Sequence, residues 1–453
     1  MTDFIAHPAF RRQPPAMAFL VIIGFPALLL AQAGGIEIDA EGVVREIRID
    51  QRTARLDRQR IQAWADERLD GDLNRQSDLR KIALARLEQA IGRHVDRGQV
   101  IPDDIRNLAG LQRIDYILLY PEHQDIVIAG PAEGFGPDSA GRMIGTISGR
   151  PTVRLDDLIV ALRSSGEANL IHCSIDPVPE RLLEVRDFVR NNNNPVPVKT
   201  AMARYDRMTE LLGMQTVSLS GIPPRSHFGR TLVEADFRMK RIAIGIDEPQ
   251  LRNFTSHLAM VRPGGNTMHR WWFLPLYDQL VRNADGTAWH WTGPRAQLMS
   301  QEERIDAEGR RFAAATTQVS AEKFAMQFTR RFGELADRVP VFADLQNLID
   351  LAVLAALFER ERLPDRAGWT MDLFLDQQRL PSEAGPVPST VKSICNYRLY
   401  RRRLVIGAIG GGIVIRPDSV IQAMESADSP ELDKLRNTLA TDTRFDQDSW
   451  WWD

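Results

Sequence analysis

The segment Pro223 to Arg241, PPRSHFGRTLVEADFRMKR, concentrates residue types that move protons and hold anions. On a helix, Phe228, Leu232 and Ala235 share an apolar face. Arg230, Glu234 and Arg238 stand at i, i+4 and i+8 on another face, the spacing of a self-paired charge ladder. Asp236 and Lys240 form a second i, i+4 pair, and His227 follows Ser226, the expected N-cap. Two readings compete. In one, His227 acts as acid or base with Glu234 or Asp236, while Arg230 and Arg238 hold an anion through their planar forks. In the other, this is a solvated amphipathic helix with ordinary surface salt bridges.

Aromatic residues form a second constellation. Trp271-Trp272-Phe273, Tyr277, Trp289 and Trp291 crowd two or three expected strands, and Trp289 and Trp291 share one face because side chains alternate. An exposed row carrying Trp271, Trp289 and Trp291 would bind sugars or a partner surface; turned inward, the same rings are core. Trp450-Trp451-Trp452 follows acidic and polar residues and reads as a docking tail or a frayed end.

Other reactive groups carry weaker patterns. His172 and Cys173 adjoin on a strand, where neighbours point to opposite faces, so the histidine is badly placed to activate the thiol. Ser320-Ala-Glu-Lys323 has the S-x-x-K spacing of penicillin-recognising enzymes, without the companion motifs; Ser320 reads as the N-cap of its helix. Cys173 and Cys395 are the only cysteines, and they form either a disulfide or two buried thiols. No Walker A loop, H-E-x-x-H, G-x-S-x-G, C-x-x-C or EF-hand loop is present, so no cofactor and no metal is expected.

The elements that would position these groups belong to an ordinary globular chain. It has 453 residues, 43% hydrophobic and 26% charged, which at ~150 residues per domain allows two or three domains. A net charge of −3 gives no footprint for nucleic acid. Six of the 57 basic residues are Lys, so the rest are Arg, scattered among acids as on a solvated surface. The N-terminus carries an address. Arg11 and Arg12 precede the apolar run Ala16 to Leu30, and Ala31-Gln32-Ala33 follows as a small-x-small site, the three parts of a secretory signal peptide cleaved after Ala33. The run falls short of the ~20 residues that span a bilayer, and Pro26 interrupts it. The expected product is exported, to the periplasm or outside, with no membrane span after cleavage; an uncleaved membrane anchor is the rival reading.

Strands are expected at 34–38 and 43–49, a charged helical stretch over 55–94, and a hairpin at Ile114–Tyr120 and Asp125–Ala129. From 153 to 220 helix and strand alternate, which favours an α/β unit. Asn191 to Pro197 marks the clearest boundary. A helix over 226–239 is followed by a strand over 241–246, an antiparallel meander over 271–302 with an Asp285-Gly286 turn, and amphipathic helices over 318–336 and 340–362. Late strands near 387–394 and 403–415 precede two short helices. Gly34-Gly35-Ile36-Glu37-Ile38 and Gly411-Gly412-Ile413-Val414-Ile415 echo one another, as a duplicated, packed pair or by chance. The fold class is α+β: mixed lobes at 34–190, 198–310 and 311–453 with α/β elements and an antiparallel β-meander, preceded by the signal peptide over 1–33.

The stretches G-G-I-E-I-D-A-E-G-V at Gly34, D-I-V-I-A-G-P-A-E-G at Asp125, C-S-I-D-P at Cys173, S-H-F-G-R-T-L-V-E-A-D-F-R-M-K-R-I-A-I-G at Ser226 and V-F-A-D-L-Q-N-L-I-D-L-A-V-L-A-A-L at Val341 resemble a family of exported proteins of uncharacterised function, found chiefly in planctomycete bacteria. The resemblance implies export and homology along most of the mature chain, and it carries no catalytic residue. The expected function is non-catalytic binding or assembly with an envelope or extracellular partner. The alternative is a hydrolase or transferase working through His227 with Glu234 or Asp236.

Overall fold

The computed structural model describes residues 32–49, 54–166, 170–192, 194, 196–249, 251–262, 268–305, 311–400, 403–426, 429–440 and 449–453. Apart from Gln32 and Ala33, the predicted signal peptide lies outside the described residues. In chain order the strands are β1 (Gln32–Ile38), β2 (Val43–Ile49), β3 (Ser77–Ala83), β4 (Tyr116–Tyr120), β5 (Asp125–Ala132), β6 (Phe135–Pro137), β7 (Met143–Gly145), β8 (Ile171–Pro177), β9 (Met214–Ser220) and β10 (Met268–Leu276). They continue with β11 (Gln279–Arg282), β12 (Ala288–Thr292), β13 (Arg295–Ile305), β14 (Arg311–Ala313), β15 (Thr390–Lys392), β16 (Cys395–Tyr400), β17 (Arg403–Ile415), β18 (Glu425–Ser426) and β19 (Trp451–Trp452).

The fold is mixed α+β. A large sheet runs β1-β2-β15-β9-β8-β17-β10-β13-β14, with β16 also paired to β17. A second runs β18-β11-β12-β4-β5-β3-β19, and β6-β7 is a separate hairpin. Strands from all three expected lobes lie in the large sheet. β1 and β17 share that sheet with four strands between them, so the echoing Gly-Gly segments are not packed together.

Most locally patterned elements form where the periodicity places them. The turn at Pro121–His123 joins β4 to β5, and Leu155–Ser164, Pro179–Asn191 and Val198–Leu212 are helices. Four expectations about strands change. β3 interrupts the stretch expected to be helical, because Arg80 and Lys81 are buried in a strand rather than solvated on a helix. The segment expected as a strand over 241–246 instead closes the helix His227–Ala243 and its turn; Gly245 takes a positive φ there and Arg241 is tied to Asp247 at 2.8 Å. β8 and β9 pair antiparallel, since two helices rather than one connect them and return the chain reversed. The meander splits: β10 and β13 pair in the large sheet, while the hairpin β11–β12 joins the smaller one.

The helices His227–Ala243, Leu155–Ser164 and Pro340–Arg360 pack together, and the first also lies against β8 and β17. Pro340–Arg360 is not amphipathic as expected. It is buried on every side from Val341 to Phe358. By length and composition it could cross a membrane, yet its apolar window is wholly enclosed by the fold. Most of its polar members are matched inside: Asp344 with Arg142, Gln346 with Arg150, and Asp350 with Arg295 and Tyr277, while Asn347 Oδ1 has no hydrogen-bond partner among the described residues.

A closed charge cluster on one helix as the candidate functional site

The helix His227–Ala243 begins as its sequence dictates. Ser226 accepts a hydrogen bond from the Gly229 amide at 3.1 Å, capping an otherwise unpaired donor. At ~100° per residue, Glu234 returns to the face of His227 after seven positions, whereas Asp236, nine positions on, falls opposite. The face carrying His227 and Glu234 meets two neighbouring helices and the turn between β6 and β7. The face carrying Asp236 meets the large sheet.

On the first face, His227 Nδ1 lies 2.8 Å from Asp157 Oδ2, and its Nε2 lies 3.5 Å from Thr231 Oγ1. Arg142, at the β6–β7 turn, donates from Nη2 to both Glu234 oxygens at 2.9 Å and from Nε to Asp344 at 2.6 Å. Burial works against the Arg142 cation, but Glu234, Asp344 and Asp138 outweigh it and raise its pKa. Burial pushes the Asp344 carboxyl up, against the pull of Arg142 and His227, and it raises Asp138 too. Asp157 Oδ1 is buried without a hydrogen-bond partner among the described residues.

Asp236 is separate. The expected pair with Lys240 forms at 2.9 Å, and Lys240 also donates to the Ile175 carbonyl at 2.8 Å. Burial raises the Asp236 carboxyl to about 6. The expected Arg230–Glu234–Arg238 ladder does not form. Arg142 takes both Glu234 oxygens, and Arg238 turns to Asp247 at 2.9 Å. Asp247 is shared with Arg241, which reaches Glu46 on β2 at 2.7 Å. Arg230 is half-buried and has no ion-pair partner among the described residues.

The aromatic candidates are core. Trp271, Trp289 and Trp291 are closed to solvent, so they offer no binding row. Trp291 donates from Nε1 to the Ile114 carbonyl at 2.7 Å, and Trp271 packs against His257 and Phe324. Trp450-Trp451-Trp452 is neither frayed nor projecting: β19 pairs with β3, with Trp450 and Trp452 buried. Ser320 is inside its helix rather than at the cap, since Val319–Arg330 is preceded by Gln318. Its Oγ lies 3.3 Å from His257 Nε2, but burial lowers the His257 pKa to about 3, which leaves a poor general base.

Both cysteines are free. Cys173 is paired in register with Ile413 and Cys395 with Ala408, five positions apart along β17. At ~3.3 Å per residue that is roughly 17 Å, against the ~7 Å Cα limit for a disulfide. Burial raises the Cys173 thiol well above its ordinary value and the Cys395 thiol to about 11. Reducing agent is therefore expected to leave the melting temperature unchanged. A thiol reagent should count two thiols in the unfolded chain, with Cys173 unreactive until unfolding; a reductant-dependent melting shift would contradict this geometry.

Residues 173–256 match the sequence model of a family described as a protein of unknown function (DUF1598). No curated protein and no solved structure matches the chain. The DUF1598 segment runs from β8 through the helix His227–Ala243. It therefore holds His227, Glu234 and Asp236, but not Arg142, Asp157 or Asp344, which close the site from elsewhere in the chain.

Sequence reading missed those three partners. One signal was available: Asp344 and Asp350 sit in an apolar helix, and a buried carboxylate there demands a cation or a hydrogen-bond donor. Among the described residues, no group of three or more His, Cys, Asp or Glu could hold a metal ion. A recess of about 760 Å³ opens beside the C-terminal ends of Leu155–Ser164 and Pro340–Arg360, lined in part by Leu162, Phe358, Trp369 and Met371, with Glu359 and Arg362 among its charged groups.

Proposed function

We propose that the chain is a non-catalytic binding or assembly protein, exported to the cell envelope or exterior. One observation carries the non-catalytic part. His227 has Nδ1 held by Asp157 and Nε2 turned to Thr231 Oγ1 of its own helix, Glu234 gives both oxygens to Arg142, and Asp236 is buried against Lys240 on the opposite face, so none of the three faces a space for substrate. A catalytic acid or base needs a free position within hydrogen-bond reach of substrate. The recess beside Trp369 supplies volume for a ligand, with Glu359, Arg362 and Asp365 in its lining. Export is supported by the charged, apolar and small-residue pattern over residues 11–33.

The test is isolation of the protein from its own host, with intact-mass and native mass spectrometry of each cell fraction. The expected result is a chain starting at Gly34 in the exported fraction, carrying a stoichiometric ligand or partner. An intact leader in the cytosol overturns export. A chemical turnover that is lost in folded His227→Gln protein overturns the non-catalytic reading.

A further inference from the structure

Arg80 is fully buried, and its guanidinium is met on every side. Nη1 donates to the carbonyls of Leu73 (3.2 Å) and Ala109 (2.7 Å), and Nη2 to those of Asp72 and Arg75, both at 3.1 Å. Nε and Nη2 reach the two carboxylate oxygens of Asp453 at 2.7 and 2.9 Å. The carbonyls come from nearby chain and form a fixed socket. Of these acceptors, the one formal negative charge arrives from 373 positions away.

The rest of the segment 449–453 is held the same way. Trp451 pairs with Ile82 and Trp452 with Lys81 along β3, and the Ala83 amide donates to the Trp450 carbonyl at 2.9 Å. The Arg80 guanidinium lies 4.6 Å from the Trp451 ring centroid. Trp452 is buried among Ala83, Leu118, Tyr120 and Val127. Since β5 occupies the other side of β3, the segment adds a strand to a sheet edge that would otherwise be open. Main-chain pairing for affinity, a side-chain pocket and a carboxylate clamp for specificity are the parts of a peptide-recognition site.

We propose that the β3 edge is a peptide-binding site for a Trp-Trp-acid segment, filled here by the chain's own residues 449–453 and able to take the same segment from a second copy of the chain. The occupant follows from the fit: every copy carries the sequence that matches the socket. Eight residues separate Ala440, the end of the helix Pro430–Ala440, from Ser449, so the two Cα atoms can be at most about 32 Å apart. A covalent link of that length corresponds to an effective concentration of about the millimolar range, so exchange between copies sets in only at comparable protein concentration or once the link is cut.

The test uses the full chain with a protease recognition sequence placed between residues 440 and 449, cut after folding. A fluorescent peptide of residues 446–453, DQDSWWWD, is then added and its anisotropy followed. The expected result is uptake by cut protein at least tenfold tighter than by uncut protein, and at least tenfold weaker uptake of the peptide carrying Asp453→Ala. Uncut copies bearing two different tags should form mixed dimers as their concentration approaches the millimolar range, and Asp453→Ala copies should not. Cut protein that keeps its melting temperature but ignores the peptide, or binds both peptides alike, overturns the site. Collapse of the fold on cutting overturns it too, because the socket then does not outlast its tether. Absence of mixed dimers overturns the second copy as occupant.

Discussion

Arg142→Met is expected to destabilise the protein by about 3–5 kcal/mol, the range seen when one partner of a buried ion pair is removed. Methionine keeps much of the side-chain volume, so the loss is electrostatic rather than a cavity. It leaves Glu234 and Asp344, which now share one guanidinium, facing each other with Asp138 nearby. Burial already raises the Asp344 carboxyl, and removing Arg142 takes away the largest opposing influence, so it rises further. A carboxyl raised in the folded state favours the fold below its unfolded pKa and loses that benefit as pH climbs through the raised value. The deficit of the variant should therefore shrink towards the ordinary aspartate value of 3.8 and widen towards neutrality. Urea melts of both proteins across that range measure it. Adding Asp344→Asn to Arg142→Met should recover part of the loss at neutral pH. A deficit independent of pH would contradict the electrostatic account.

Gly412→Ala is expected to cost on the order of 4 kcal/mol or more, the rare magnitude that marks forced strain. A Cβ at Gly412 would overlap the carbonyl oxygen of Cys173, and one at Gly411 would overlap that of Trp271. Neither obstacle is a flexible side-chain end. Both are backbone of the strands flanking β17, so relief requires β8 or β10 to move away. Because β17 joins those two strands, the damage falls in the middle of the large sheet. Gly333, where an added methyl would meet nothing within 4 Å, is the control. Gly333→Ala in the helix Phe332–Arg338 should be stabilising by roughly 0.4–1 kcal/mol. Denaturant midpoints and size-exclusion profiles of the two variants should move in opposite directions; a soluble Gly412→Ala protein with an unchanged midpoint contradicts the close approach.

What was legible in the chain is what local physics decides. The cap at Ser226, the apolar face of Leu155, Leu158, Ile159 and Leu162, and the β4–β5 hairpin all depend on spacing within a few residues. So does the Asp236–Lys240 pair, one helical turn apart. The site depends on distance along the chain. His227 looks as if it should meet Glu234, but 70 positions away Asp157 takes its ring nitrogen, and 92 positions away Arg142 takes Glu234. β3 reads as a polar helix because nothing local reveals that Arg80 will be buried against a carboxylate 373 positions on. The tryptophans were ambiguous for a related reason: alternation assigns them to one face of a strand but does not say whether that face is covered.

The way the sheets are stitched has a consequence for biosynthesis. β2 waits for β15, β8 for β17 and β3 for β19, so early segments are completed by strands translated long after them. A nascent chain stalled after residue 390 would present β8 without its β17 neighbour and an open β3 edge to the ribosome surface. Such delayed pairing slows folding and lengthens the exposure of apolar strands. Neither sheet can close until β17 and β19 have been made, so β3 and β8 stay incomplete over most of the synthesis of residues 84–452.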